Sequence, residues 1–325
     1  MQSHRLYDWL GLLALTVMFG SAFLLIKIAV TDVPPMVIAA VRIVIGAIVL
    51  VVMSYIQKES FSQLKGYWVL IFFISLTGNC IPFFSVAWGQ QYIDSGMAGI
   101  LMGMMPLTTI VLAHFLIAGE RLTIAKIIGF ILGFIGVVIL MAPEISLQDQ
   151  SKFLHLMGIW AVLIAAISYA VNSVIVHFLP KISLTLLSAG TLVMSSVIML
   201  PLAALEGVEW VGQVDQLQIL SLIVLGVFST GLATIIYFRV VRHAGPGFLS
   251  QINYLVPLWA VLLGITIGGE SLTIYALVAM VIILSGVAVS QRSKVYADSI
   301  YHDLCFSLQA APLREHRSGI LPGNR

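Results

Sequence analysis

Charge is what this 325-residue chain has least of: Asp, Glu, Lys and Arg make up 9% of it, against 60% hydrophobic residues and a mean hydropathy of +1.07. A globular surface carries charge on about a quarter of its residues to stay solvated, so most of this surface is expected to face something other than water. A net charge of +2 without a long basic run gives a nucleic acid nothing to hold. The two cysteines, Cys80 and Cys305, are isolated, which argues against a disulfide framework or a cysteine metal site. The patterns G-x-x-x-x-G-K-[ST], H-E-x-x-H and G-x-S-x-G are also missing. ATP-driven pumping by the chain alone and intramembrane hydrolysis therefore lose their usual signatures, and no enzyme activity, cofactor or metal is expected. No Asp or Glu falls deep inside an apolar run. That removes the commonest carrier of a coupling proton or sodium ion, leaving a facilitator, an exchanger, or coupling through His or the substrate.

What is abundant is apolar sequence of bilayer-crossing length. Runs at 9–30, 36–56, 67–89, 96–118, 123–142, 155–178, 183–204, 217–239, 247–268 and 273–290 are each long enough to span as a helix. The first is too long for a signal-peptide core and has no small-residue cleavage site. Connections are short and carry turn chemistry, as in Pro34-Pro35 and Gly268-Gly269-Glu270; only 143–154 and 205–216 approach a dozen residues. With the amino terminus inside, the inner ends and loops collect Arg5, Lys58, Lys65, Arg121, Lys126, Lys181, Arg239, Arg242, Arg292 and Lys294, while the outer loops collect only Lys152. The bias predicts both termini in the cytoplasm and a multi-pass protein of the cell (inner) membrane. Tyr7, Trp9, Tyr55, Tyr67, Trp68, Tyr92 and Tyr275, near span ends, fit interfacial anchors.

The chain repeats itself. Gly119-Glu120-Arg121-Leu122-Thr123 returns 150 residues later as Gly269-Glu270-Ser271-Leu272-Thr273. At the same offset Phe19-Gly20 meets Tyr169-Ala170, Lys27 meets His177 and Gly136-Val137 meets Gly286-Val287; one residue of slip brings Pro106 onto Pro257. Each copy holds five spans, an odd number, so the second copy must lie upside down relative to the first. The positive-inside rule agrees, since Arg121 in a predicted inner loop is replaced by Ser271 in an outer one. The expected fold is an all-α membrane protein of ten transmembrane helices in two inverted five-helix repeats, 1–146 and 147–292, with a polar cytoplasmic tail at 293–325 holding at most one amphipathic turn near Leu304–Leu308. Inverted repeats can exchange conformations around one central site, which favours a transporter over a channel or a membrane enzyme.

These features resemble the EamA-type ten-helix proteins of the drug/metabolite transporter superfamily. The resemblance covers about residues 9–290 and rests on Phe19-Gly20-Ser21 with Lys27, Pro34-Pro35 followed by Arg42, Pro106, Gly119-Glu120-Arg121-Leu122-Thr123 and the Gly-rich Gly133–Val137. In the second copy it rests on Pro257, Gly269-Glu270 and Gly286-Val287. It implies secondary transport of small polar metabolites, often efflux of amino acids or related compounds. Leu192 stands where a second Arg42 would be, so a matched pair of buried cations is not expected.

Lys27 and Arg42 are the only bases well inside spans, both in the outer third. Either could snorkel, draw an anion from outside, or brace the first two helices by bonding carbonyls, with Asp32 or Asp94 as counter-charge. Polar and small residues fall on single helix faces: Ser75, Asn79 and Pro82; Tyr169 and Asn172; Gly226, Thr230, Ala233 or Thr234, and Tyr237; Gln251 and Tyr254. Singly they fit interhelical hydrogen bonds; together they outline a polar pathway bordered by spans 1, 3, 4, 6, 8 and 9, with Trp88 and Trp259 as further lining or packing. The prolines Pro106 and Pro257, matched in the two copies, either point to the binding site or are static kinks. Met97, Met102, Met104 and Met105 supply an adaptable lining or core filler. Glu120 and Glu270 are assigned a structural place beside helix termini, and His114 and His177 an interfacial one. Glycines at 99 and 103 and at 129 and 133 permit close packing, within the chain or in a homodimer. The expected partners are thus a small-molecule substrate and the bilayer, with the homodimer open. A scaffold or receptor without transport is the alternative reading.

Overall fold

The computed structural model describes residues 6–144, 149–178 and 183–309, and among these there are ten helices long and apolar enough to cross a membrane. They are α1 (Leu6–Ala29), α2 (Pro35–Ile56), α3 (Trp68–Gly89), α4 (Ser95–Leu116), α5 (Ile124–Met141), α6 (Gln150–His177), α7 (Leu184–Ala204), α8 (Gln216–Gly245), α9 (Gly247–Thr266) and α10 (Ile274–Gln291). Large apolar side chains stand exposed along them, including Ile48, Val52, Ile131, Phe134, Val197 and Val281. In water such a surface would aggregate; against lipid tails it is the lower-energy one. The chain is an all-α, multi-pass membrane protein.

Local chemistry sets the ends. Pro35 opens α2, where its missing N–H costs nothing, and Asp215 with Gln218 closes a capping box at the start of α8. Gly119 and Gly269, at the matching turns after α4 and α9, both take positive φ (91° and 65°), open to glycine at little cost. Two expectations shift. Helix α6 starts at Gln150, ahead of the apolar run, because the Asp149 carboxylate accepts from the Ser151 N–H and caps it. The last helix runs on as a continuous helix to Gln309, where the sequence had suggested a single weak turn. Arg5, Lys181 and the tail beyond Gln309 lie outside the described residues.

Packing pairs the helices in a regular way. Helix α5 lies along α10 and α2 along α7; α1 packs on α8 and α9, and α6 packs on α3 and α4. Exchanging each of α1–α5 with the helix five places later leaves this set of packed pairs unchanged. Without a hydrophobic drive between helices in lipid, close backbone approach supplies the attraction. At the α5–α10 contact a Cβ on Gly129 would lie 2.5 Å from the Gly286 carbonyl oxygen, and one on Gly286 as near to that of Gly129. Gly133 faces Met104 and Leu107, and Gly99 faces Ala260, so these glycines are used within the chain and offer no free face to a second copy. Gly129→Val should therefore destabilise the protein by about 2–3 kcal/mol, read as a lower unfolding temperature in detergent.

Two helices are interrupted by π turns, Leu76–Cys80 in α3 and Val227–Leu232 in α8, starting 151 residues apart. In α3 the cause is Pro82, which cannot donate to the preceding turn. In α8 it is Thr230, whose hydroxyl reaches back five residues to the Leu225 carbonyl at 2.9 Å.

Candidate substrate site

Both π turns open onto one cavity of about 210 Å³ between the two sets of helices. It is walled by Phe19 of α1, Arg42 of α2, Gly78, Asn79 and Phe83 of α3, Tyr169 of α6, Ser188, Thr191 and Leu192 of α7, and Ser229, Thr230 and Thr234 of α8. Ten of these twelve form five equivalent pairs: Phe19 with Tyr169 and Arg42 with Leu192 are 150 residues apart, while Gly78 with Ser229, Asn79 with Thr230 and Phe83 with Thr234 are 151 apart. The wall is duplicated in position and different in chemistry.

Arg42 dominates that chemistry. It is 6% exposed, lies over the Phe83 ring with 3.8 Å from Cζ to the centroid, and donates from Nε to Thr230 Oγ1 at 3.2 Å. No carboxylate stands within ion-pairing reach of it among the described residues, and its two terminal nitrogens make no hydrogen bond to protein there. The expected snorkelling and the expected anionic partner are both absent; the guanidinium is turned inward and held by an aromatic face and a hydroxyl. An arginine fork with unused donors on a cavity wall is complementary to a planar anion.

Hydrogen bonds brace the π turns. Asn79 Nδ2 donates to Ser195 Oγ at 3.2 Å, and Ser75 Oγ donates to the Thr191 carbonyl at 2.9 Å, tying α3 to α7. Ser168 Oγ donates to the Thr77 carbonyl, and Ser229 Oγ to that of Met18, each at about 2.9 or 2.8 Å, tying the turns to α6 and α1. Asn172 sits behind the first turn rather than on the cavity: its side-chain amide lies 2.9 Å from where a Gly78 Cβ would be, and Thr77 Oγ1 donates to its Oδ1 at 3.4 Å.

Several expectations are redirected by these contacts. The walls include α2 and α7 in place of α4 and α9. Lys27 donates to the carbonyls of Gln90 and Ile93 at 3.0 and 2.8 Å, so it braces the α3–α4 corner rather than the first two helices. Lys27→Met should lower stability by about 1–3 kcal/mol, checked by thermal unfolding in detergent. Asp32 instead meets Gln218 and Thr31. Burial, reinforced by the charge of Glu270, holds the Asp94 carboxyl above its ordinary range, against Lys27 and His155. Trp88 packs edge-on to Tyr92 and borders a separate depression with Asp32 and Glu206. Tyr254 donates to Gln291, Tyr237 is exposed beside Phe238, and Gln251 belongs to the first turns of α9; none of the three lines the cavity. Pro106 and Pro257 also lie off it, Pro257 buried on the α9 face that meets Gly99. The motif Phe19-Gly20-Ser21 divides its work: Phe19 lines the cavity, Gly20 leaves room for the Trp259 ring, and Ser21 Oγ accepts from Trp259 Nε1 at 3.0 Å.

Ten lipid-length helices around a polar, cation-bearing cavity define a polytopic membrane protein of the transporter class. The chain belongs to the EamA-like transporter family, whose profile matches residues 7–142 and again 156–291. It is similar to the uncharacterized transporter YoaV of Bacillus subtilis, 27% identical over 86% of this chain and 94% of that one. It is also similar to protein PagO of Salmonella typhimurium, 23% identical over 83% and 88%, and to an uncharacterized transporter of Archaeoglobus fulgidus, 25% identical over 87% and 98%. A solved crystal structure superposes with a TM-score of 0.62 at 20% identity, covering 88% of this chain and 98% of its own, a likeness of fold.

Proposed function

We propose that this membrane transporter is a secondary carrier that exports small polar metabolites bearing a carboxylate or similar planar anion, amino acids and related compounds among them, across the cell's inner membrane by alternating access. The observation that carries the reading is the cavity wall of five equivalent pairs, drawn from both halves of the chain and holding one unpaired, buried cation. Two inverted copies, 1–146 and 147–292, would meet at such a site, as in other repeat-built carriers. The inversion is supported by the odd number of helices per copy, the replacement of Arg121 by Ser271, and the packed pairs that survive the exchange of halves. A volume of about 210 Å³ suits a metabolite rather than the drug-sized ligands of roughly 300–1,000 Å³ pockets. No carboxylate lines the cavity, so a cationic substrate would meet Arg42 without a counter-charge, whereas an anionic group would use the free guanidinium edge. With both termini in the cytoplasm, the end of the bundle bearing Glu120 faces inward. There α9 does not pack extensively on the second segment of α4, Met104–Leu116, which fits access from inside in this state; export is the direction that the family resemblance implies.

Reconstituted into liposomes with imposed pH and sodium gradients, the protein should move one class of anionic or zwitterionic metabolite from a broad panel; no flux across the panel would overturn the reading. Cysteine labelling places the site independently. In a background lacking Cys80 and Cys305, Asn79→Cys and Thr230→Cys should react with an aqueous maleimide and be protected by substrate. Gln251→Cys should show no such protection. Inertness of both cavity positions in every transport condition would remove the cavity from the pathway.

A further inference from the structure

Glu270 does something its own turn does not require. Its Oε1 accepts from the Ser95 N–H at 2.7 Å and its Oε2 from the Gly96 N–H at 3.0 Å, so a carboxylate at the end of α9 caps the first turn of α4 in the other half. A carboxylate on two free amides at a helix amino terminus is a strong, charge-assisted contact. The fold makes room for it. The Glu270 N–H bonds back to the Gly264 carbonyl at 2.9 Å, fixing the turn, and a Cβ on Gly264 would lie 2.2 Å from Oε2. At this end α9 is packed on Ser95–Met102 of α4.

The equivalent residue behaves differently. Glu120 occupies the same Gly-Glu turn 150 residues earlier, and the helix start equivalent to Ser95-Gly96 is Pro246-Gly247, the opening of α9. Glu120 is not there. Its Oε2 is held by Lys126 Nζ at 3.2 Å, and that ammonium also bonds the Arg121 carbonyl at 2.9 Å. Around Gly245 and Gly247 nothing lies within 4 Å of an added Cβ, so there is room beside this turn for a carboxylate to approach. The second copy has Ala276 where the first has Lys126, so Glu270 has no comparable cation to hold it away.

We infer that Glu270 and Glu120 are positioning residues of the transport cycle, each closing one end of the bundle by capping the first turn of α4 or α9 from the opposite half. In this structure Glu270 is engaged and Glu120 is parked on Lys126. Closing the Glu120 end requires that carboxylate to leave Lys126 for the first turn of α9, where Pro246 has no N–H and Gly247 supplies the equivalent donor, while Glu270 releases Ser95 and Gly96. The inference rests on the alternating-access reading above, and the test separates the two.

Spin labels at exposed positions report both ends: Gln91 with Ile267 at the Glu270 end, and Leu116 with Arg242 at the Glu120 end, in a background lacking Cys80 and Cys305. Pulsed EPR distances are measured in proteoliposomes whose flux is assayed in parallel. Wild type should show two anticorrelated populations, the major one short at the Glu270 end. Glu270→Gln should raise the population that is long at that end and short at the other by about ten-fold, the effect of one charge-assisted bond. Lys126→Met, remote from the Glu270 contact, should shift the balance the same way, and Glu120→Gln the opposite way, with flux lost in both glutamate variants. Two populations in wild type that none of the three substitutions moves would overturn the latch and leave the transport reading standing. A single distance at each end together with no flux would overturn both.

Discussion

Arg42→Gln is expected to cut substrate flux about a hundred-fold while leaving thermal stability at or above that of wild type. The two halves of this expectation have separate causes. A buried guanidinium forfeits its hydration at a cost of several kcal/mol; with no anionic partner among the described residues, the Phe83 face and the Thr230 hydroxyl offset only part of it. Removing the charge relieves the folded protein. The substrate, by contrast, loses a bidentate charge-assisted contact of about 1.5–3 kcal/mol, which sets the size of the flux defect. Arg42→Lys should recover little, since an ammonium cannot offer two parallel donors or stack on the ring. Flux in liposomes and unfolding in detergent decide the matter on the same preparation. If Arg42 merely braced α2 against α8, the glutamine variant would unfold at lower temperature and transport in proportion to its folded fraction.

Gly226→Val should abolish transport and lower folding stability together. At the start of the second π turn, a Cβ on Gly226 would meet Ile45 Cβ at 2.5 Å and the Arg42 carbonyl at 3.3 Å; on Gly46 it would meet Thr230 Cγ2 at 2.7 Å, and on Gly231 Val49 Cβ at 2.7 Å. Three glycines thus let α8 lie against α2 closely enough for Arg42 to reach Thr230. A branched side chain at 226 would push the helices apart, at a cost of about 3 kcal/mol, and carry Arg42 away from its acceptor. Gly212→Ala, with nothing within 4 Å, serves as the neutral control, expected within about 0.5 kcal/mol of wild type. A Gly226→Val protein that unfolds normally and transports would show that the α2–α8 approach is not needed.

The helices were legible because lipid leaves the chain no alternative: a run of about twenty apolar residues must satisfy its own backbone. The site was only half legible, and the reason is geometric. Helical spacing says which residues share a face, as Asn79 with Ser75 or Tyr254 with Gln251, but not which neighbour that face meets. Asn79, Thr230 and Thr234 therefore land on the cavity, while Tyr254 turns to Gln291. Ser188, Thr191 and Ser195 did have a signal, since they share a face of α7 within an apolar span, and Thr191 and Ser195 bond the first π turn or its flank. The paired interruptions at the cavity are π turns, whereas the matched prolines Pro106 and Pro257 lie elsewhere. Pro82 hinted at the first turn, but nothing local marks the second, which depends on a threonine hydroxyl finding a carbonyl five residues back. Glu270 was expected beside a helix amino terminus, and is, though the helix it caps lies 175 residues away in the chain.

The wall of five pairs has one position, Arg42 with its counterpart Leu192, where one copy has a charge and the other a hydrocarbon. A duplicated frame could hold a passenger equally well in either of two flipped poses. One arginine abolishes that degeneracy and gives the compartment a head and a tail. On the proposed reading, a passenger should travel in a single orientation, its anionic end against α2, without tumbling between loading and release. Analogues that share the anion but differ in the bulk of the other end should then be discriminated at Phe19 and Leu192, the aromatic and aliphatic residues that line the same space.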